Sequence, residues 1–468
     1  MINIIEEENQ GLKIACRFLE DELNKLYEEN NKLYEENNKL YEENNKLYEE
    51  NNKLQNFLSF KIARAVVTNL SIKKIYKIPY RIYGLYKQHK QHKQHKQHKQ
   101  HKQHKHKQHK QHKQMLSKIG FVSWYSDFLM QLGENKRALL FSKKYLYGNY
   151  RKTYYLLNAN NQLQNEEEWL KNLNMYLNRI NTAPISLNNH TNDKIFFKIC
   201  CKLNYEIKQG PLVTIIMPAY NAEKTIGFAI DSILNQTYKN IELIIVDDCS
   251  NDSTLEFIKQ KQKIDTRIKI ICNKQNLGPY VSKNKALDIS DGEYITGHDA
   301  DDWAHPQRIE KQVDFMLNNP NIKAMVAKKI RITEEGKIVN FYISKKVEDD
   351  GILSTAFISC IIDATFMKNK LGYWDSVRFG ADSEIMNRIK SLDESIYVEE
   401  NIFTMFCLES KTSLTNHPKH GISKITGMSD IRRKYFNSFK NWHKETSDYY
   451  INFPLLKRPF EAPIEMKI

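Results

Sequence analysis

Leu212-Val213-Thr214-Ile215-Ile216-Met217-Pro218-Ala219-Tyr220-Asn221 is an apolar run that breaks off into polar residues. The same shape returns at Ile244-Ile245-Val246-Asp247-Asp248. It returns again where Glu293-Tyr294-Ile295-Thr296-Gly297 leads into His298-Asp299-Ala300-Asp301-Asp302. Buried parallel strands read as such runs, and open α/β sheets bind ligands at the carboxyl ends of those strands. The spacing predicts strands over 212–217, 241–247, 268–272 and 293–297, and helices over about 222–235, 251–264, 279–288 and 306–318. Repeated βα units imply an α/β domain built on a largely parallel sheet with right-handed crossovers.

The rest of the chain frames this stretch. It has 468 residues, a formal net charge of +15 and 41% hydrophobic residues, enough for several domains with sizeable cores. The charge is uneven. Residues 1–56 carry seven basic and fourteen acidic groups, whereas residues 57–113 carry sixteen basic groups and no acid. The basic excess therefore belongs mainly to one segment. Cysteines stand at 16, 200, 201, 249, 272, 360 and 407, an odd number with no Cys-x-x-Cys pair. That argues against a disulfide framework or a zinc site and fits a reducing compartment. The opening Met-Ile-Asn-Ile-Ile-Glu-Glu-Glu is acidic where a signal peptide is basic, and no run of about eighteen apolar residues occurs. The expectation is a cytoplasmic protein.

Two repeats precede the α/β region. Residues 1–56 repeat Asn-Lys-Leu-Tyr-Glu-Glu-Asn, with leucines at 26, 33, 40, 47 and 54 and asparagines at 30, 37, 44 and 51. With Leu at d and Asn at a, this is a coiled-coil heptad that favours a homodimer; the alternative is a solvated helical spacer. Residues 57–86 interleave Lys61, Arg64, Lys73, Lys74, Lys77 and Arg81 with aromatic and aliphatic residues. Such a basic amphipathic segment suits the inner face of an anionic membrane, the alternative being a helix packed on the protein itself. Residues 87–114 repeat Lys-Gln-His and read as a self-repelling linker. The tract has charge but no interleaved aromatics, so no specific nucleic-acid partner is expected. Residues 115–205 carry apolar residues at helical spacing. Residues 411–468 are expected as a lid and a tail packing on the catalytic domain.

The acids suggest chemistry directly. Asp299 and Asp301, two apart on an extended segment, project to the same side. Two carboxylates with phosphate oxygens make a hard oxygen site for Mg²⁺ or Mn²⁺. A buried carboxylate such as Asp248 suits the imide N–H of uracil.

In their order and spacing these pieces resemble the family 2 glycosyltransferases, over roughly residues 211–410. The resemblance implies a GT-A fold, a Rossmann-like mixed sheet, preceded here by the coiled coil, the low-complexity linker and the small helical region. It implies an inverting, metal-dependent transfer of a sugar from a nucleotide-sugar, a UDP-sugar by expectation. The acceptor would be a hydroxyl of a surface glycan, capsule or lipooligosaccharide, free or lipid-linked. On this resemblance Pro218, Ala219, Tyr220 and Asn221 form the donor turn and Asp248 reads the base. Asn276, Gly278 and Lys283 approach the nucleotide. Asp299 and Asp301 are the metal-binding Asp-x-Asp, with Asp302 orienting Asp301 or binding sugar. Arg378 is placed at the diphosphate. His417 or His420, in a lid over the donor, is a further candidate for the metal shell. Asp382, in Gly380-Ala381-Asp382-Ser383-Glu384, is the candidate base, with Glu384 the alternative because Ala381 stands where the family has glutamate. The lack of a Gln-x-x-Arg-Trp segment points away from processive relatives. The rival reading is a coiled-coil interaction protein carrying a degenerate glycosyltransferase domain.

Overall fold

The computed structural model describes residues 122–146, 148, 151–188, 194–339, 352–410, 420–423 and 427–468. The heptad segment, the basic segment and the Lys-Gln-His tract lie outside the described residues, as do Ser413–Thr415 and His417.

Residues 122–131 are helical. They are followed by α1 (Asn135–Tyr145), α2 (Arg151–Asn161) and α3 (Glu166–Arg179). Asn165 caps α3 by accepting the Glu168 amide, and three glutamates fill its first turn. Both features complement the unpaired amides of a helix start. A short antiparallel pair, β1 (Ser186–Leu187) and β2 (Ile199–Cys200), leads to the sheet.

The alternating region contains β3 (Val213–Ala219), α4 (Ile226–Leu234), β4 (Ile241–Asp247), α5 (Thr254–Ile264), β5 (Ile268–Cys272), α6 (Gly278–Asp288) and β6 (Tyr294–Gly297). Then come β7 (Trp303–Ala304), α7 (Arg308–Asn318), β8 (Ala324–Ile332), β9 (Ile338–Val339), β10 (Ser354–Thr355) and β11 (Ile361–Asp363). The chain continues through α8 (Ala381–Leu392), β12 (Tyr397–Leu408) and α9 (Asp430–Glu445). Residues Ile422–Ser423 and Gly427–Met428 form a separate antiparallel pair, β13 and β14.

The sheet runs β5-β4-β3-β6-β11-β8-β12-β7, with β9 and β10 paired to β8. Strands β5, β4, β3 and β6 are mutually parallel. β11 runs antiparallel to both β6 and β8, which makes the sheet mixed. β4 is buried along its whole length and β3 at all but one position, as their mostly apolar sequence requires of central strands. β5 is an edge, and Lys269 there joins Glu242 and Asp291, both at 2.6 Å, which keeps the edge charged. From β3 the chain steps to β4 and β5 on one side and later returns to β6 on the other. The crevice beyond the carboxyl ends of β3, β4 and β6 is therefore the topological switch point of the sheet. Pro218 stands past the last β3–β6 pair, Ile216 with Gly297. It still stands opposite Val246 of β4, so only the β6 side of the strand is free to lack an N–H.

Three apolar layers surround the sheet. One holds Val213, Ile215 and Leu243 against Ile230, Ile258 and Val313. On the opposite face Ile216 and Ile244 pack with Leu287, Ile385, Tyr435, Phe439 and Met466. The third combines Trp169, Tyr176 and Phe196 with Ile330, Phe403 and Phe406. The helices before Pro211 thus share a core with β8 and β12. The Trp169 Nε1 donates to the Gly336 carbonyl at 2.9 Å, and Asn160 exchanges two 2.7 Å bonds with the main chain of Ile338. Residues 209–211 mark a change in element type, while the core continues across them. Among the described residues no helix is long and apolar enough to cross a membrane.

Candidate active site

The loops after β3, β4 and β5 are tied to one another. Asn221 has a positive φ of 47°; its amide donates to Ser250 Oγ at 3.0 Å and its Oδ1 accepts the Asn251 amide at 2.8 Å. Tyr220 beside it is exposed. Asp248, 3% exposed, accepts from the amides of Leu277 at 2.9 Å and Gly278 at 2.7 Å, and from Asn273 Nδ2 at 2.7 Å. This is a carboxylate at the amino end of α6, where unpaired amides and the helix dipole favour it. One acceptor direction on Oδ2 is left for a ligand donor. Gly278 adopts φ +77°, and Arg378 Cα would lie 3.6 Å from any added Cβ. Arg378 is exposed and donates to Asn276 Oδ1 at 3.0 Å. Asn276 in turn reaches the Asp248 carbonyl at 3.4 Å.

The acidic cluster forms where β6 ends. Ligand oxygens of Asp299, Asp301 and Asp302 all lie within 4.8 Å of one another. Burial, then the charge of Asp302, pushes the Asp299 carboxyl up to about 6. Burial and the charges of Asp302 and Asp299 hold Asp301 well above the ordinary carboxylate range. Asp299 and Asp301 are partly open, whereas Asp302 is buried. Asp302 Oδ2 accepts from Cys407 Sγ at 2.8 Å and Oδ1 from the Leu408 amide at 3.0 Å. A group of oxygens crowded and buried in this way, in which each acid disfavours the charge of the next, fits a hard divalent cation.

Beneath the cluster lies Arg308, fully buried. Its guanidinium donates to His298 Nδ1 at 3.1 Å, Thr296 Oγ1 at 2.9 Å, the Gly297 carbonyl at 2.6 Å and Gln312 Oε1 at 3.2 Å. His298 Nδ1 is therefore an acceptor, and its Nε2–H donates to the Asp302 carbonyl at 3.2 Å. Burial and the Arg308 charge drive its imidazole well below the usual range, so it is neutral. Arg308 is a buried cation on which the charges of Asp302 and Asp299 act, a role its sequence position gives no sign of. Trp303 is buried and stacks on Phe406 with ring centroids 5.8 Å apart, which makes it core.

Asp382 lies in the first turn of α8, which starts from Gly380 in a left-handed conformation. Its Oδ1 pairs with Lys283 Nζ at 2.8 Å and its Oδ2 accepts from Tyr280 Oη at 3.1 Å. Lys283 and Tyr280 occupy one face of α6, three residues apart. Lys283 is thus brought to Asp382, 99 residues away in sequence. The charges of Lys283 and Asp382 both act on Asp299, which links the two parts of the site. Asp382 keeps a quarter of its side chain exposed. Glu384 is fully buried, with Arg388 at 2.9 Å and His443 at 3.0 Å. It serves as an internal counter-ion. Ala381 is buried in the apolar layer, and His420 stacks on Phe379 at 5.5 Å.

Residues 214–364 match the family model described as "Glycosyl transferase family 2". An uncharacterized glycosyltransferase of Haemophilus influenzae is 49% identical over 25% of this chain and 36% of its own length. The putative teichuronic acid biosynthesis glycosyltransferase TuaG of Bacillus subtilis is 42% identical over 23% of this chain and 42% of its own. The Escherichia coli UDP-Glc:alpha-D-GlcNAc-diphosphoundecaprenol beta-1,3-glucosyltransferase WfgD is 36% identical over 33% of this chain and 62% of its own. The chain spans between about a third and three fifths of the length of these relatives. Residues 214–364 form a family 2 glycosyltransferase domain, built on the mixed α/β sheet.

Proposed function

We propose that the chain is an inverting glycosyltransferase that moves a sugar from a nucleotide-sugar, UDP-linked, to a hydroxyl of a bacterial surface glycan. The observation that carries this reading is the Asp382 carboxylate, held by Lys283 and Tyr280 yet partly open, within the electrostatic reach of Asp299. Asp248 and the 276–278 loop would seat the base, and Asn221 would order the turn beneath the ribose. Arg378 would meet the diphosphate. Asp299 and Asp301 would hold a divalent cation, Mn²⁺ or Mg²⁺, which neutralises charge on the departing nucleoside diphosphate.

Asp382 is the general base. The acceptor oxygen attacks the anomeric carbon as its proton passes to Asp382. The bond from that carbon to the diphosphate oxygen breaks, and the electron pair leaves with the nucleoside diphosphate. Lys283 and Tyr280 fix the direction of the carboxylate, and such a base contributes about 10²–10⁴-fold. The acceptor is read as lipid-linked, consistent with the diphosphoundecaprenol in the name of the WfgD relative.

The test is nucleoside-diphosphate release from a panel of nucleotide-sugars with Mn²⁺. Asp382→Asn should reduce transfer at least about 10²-fold while UDP binding persists. Asp301→Ala should weaken Mn²⁺-dependent donor binding. Normal turnover by Asp382→Asn would remove the base assignment.

A further inference from the structure

We propose that Cys407 is a positioning residue of the acidic site: its thiol, together with the Leu408 amide, holds the Asp302 carboxylate from behind, so that Asp299 and Asp301 are the acids presented to a divalent cation. This rests on reading the acidic cluster as a metal centre.

The argument begins with the strand ladder. β7 follows Asp302 directly and pairs antiparallel with β12, Ala304 opposite Met405 and Trp303 opposite Phe406. Continuing that register by one residue puts Asp302 opposite Cys407. The two side chains are cross-strand neighbours, the closest relation a sheet offers. The thiol donates to Oδ2 at 2.8 Å and the next residue's amide donates to Oδ1 at 3.0 Å. Both Asp302 and Cys407 are 3% exposed. The Asp302 carbonyl is gripped as well, by His298 Nε2 at 3.2 Å.

The contrast with its neighbours gives the arrangement meaning. Among the described residues no other side chain donates a hydrogen bond to the carboxylates of Asp299 or Asp301, and both keep a partly open face. Three carboxylates this close repel one another. Asp302 has its two oxygens satisfied by protein donors, whereas Asp299 and Asp301 have no side-chain donor and keep a partly open face. A buried donor that fixes an acid beside the ligands is the kind of outer-shell contact whose loss typically costs 10–100-fold in metal affinity. Without the thiol, Asp302 Oδ2 is an unpaired buried acceptor and is free to swing toward the cation or to take a proton.

The experiment is Mn²⁺ binding to the full chain in the presence of UDP, read from the loss of the free-Mn²⁺ electron paramagnetic resonance signal. Cys407→Ser keeps a donor and should bind within about threefold of wild type. Cys407→Ala and Cys407→Val remove the donor, the second while conserving volume, and both should weaken Mn²⁺ binding by about tenfold. Thermal melting of the metal-free variants checks that they are folded. Wild-type affinity in Cys407→Val overturns the inference, as does a tenfold loss in folded Cys407→Ser. A wild-type chain that binds no Mn²⁺ with UDP fails the metal-centre reading itself, and this inference with it.

Discussion

His305 shows how a single side chain can be read to its protonation state. Its Nδ1 accepts the Gln307 amide at 3.2 Å, so its Nε2 carries the proton and donates to the Ala183 carbonyl at 3.0 Å. A second proton would set two N–H groups against each other in a buried place. Burial accordingly pushes the imidazole down to about 4. An unfolded chain takes up that proton near 6.5 and the folded chain only near 4. Stability is therefore full above about pH 6.5, falls by about 1.4 kcal/mol per unit below it, and levels off below 4. Urea unfolding at pH 6.5 and pH 5 should show wild type losing about 2 kcal/mol more than His305→Gln. An equal loss in both would remove His305 from the acid response. At this scale the sequence revealed acids and concealed their partners. Asp248, Asp299 and Asp301 announce themselves because each ends an apolar run. Lys283 and Asp382 meet across 99 residues and Asp302 and Cys407 across 105, distances over which no local pattern survives. Arg308 is fully buried, and its partners Thr296, Gly297 and His298 stand ten to twelve residues before it.

Among the elements, the segment between Gly372 and α8 is braced by side chains from outside it. Gly372 sits at φ +71°, where an added Cβ would lie 2.1 Å from the Ile451 carbonyl oxygen. Tyr373 donates its amide to that same oxygen at 2.9 Å. Asp375 is buried and receives Tyr435 Oη at 2.9 Å and Arg458 Nη1 at 2.5 Å. Arg388 donates to the carbonyls of Leu371 at 2.6 Å and Tyr373 at 2.9 Å. The segment these contacts fix carries Arg378 and delivers Asp382. Arg458→Ala leaves Asp375 as an uncompensated buried acid and should cost about 3 kcal/mol, with kcat falling while UDP affinity stays within about twofold. In a double-mutant cycle with Asp375→Asn, the two losses should fall well short of adding. Full additivity in urea unfolding would show that the pair is not coupled. The strands and helices from 212 to 318 were legible because βα units announce themselves by period. This brace was not legible, since its parts are single polar residues in irregular chain.

For the molecule as a whole, the helices before Pro211 and the sheet share an apolar layer. Trp169 is fully buried within it and is joined to Gly336 by its indole N–H. Trp169→Ala should cost about 3–5 kcal/mol. Because the layer is common, the loss should appear in one cooperative transition, seen alike by far-UV circular dichroism and by UDP protection of the site. Two separated transitions would show that the helical part folds on its own. The sequence placed helices here and gave no hint of what they cover. Amphipathic helices declare an apolar face, whereas the identity of its partner depends on the whole topology.

The matched family segment stops at residue 364. Cys407, Leu408, Asp382 and Arg458 all come later, and Trp169 and Ala183 come before it begins. Moving only residues 214–364 of this chain into another framework would therefore part Asp302 from the thiol that restrains it. It would also part Lys283 from Asp382 and Gly336 from Trp169. A graft that keeps these contacts intact takes in at least Trp169 through Arg458, and specificity is better moved one side chain at a time.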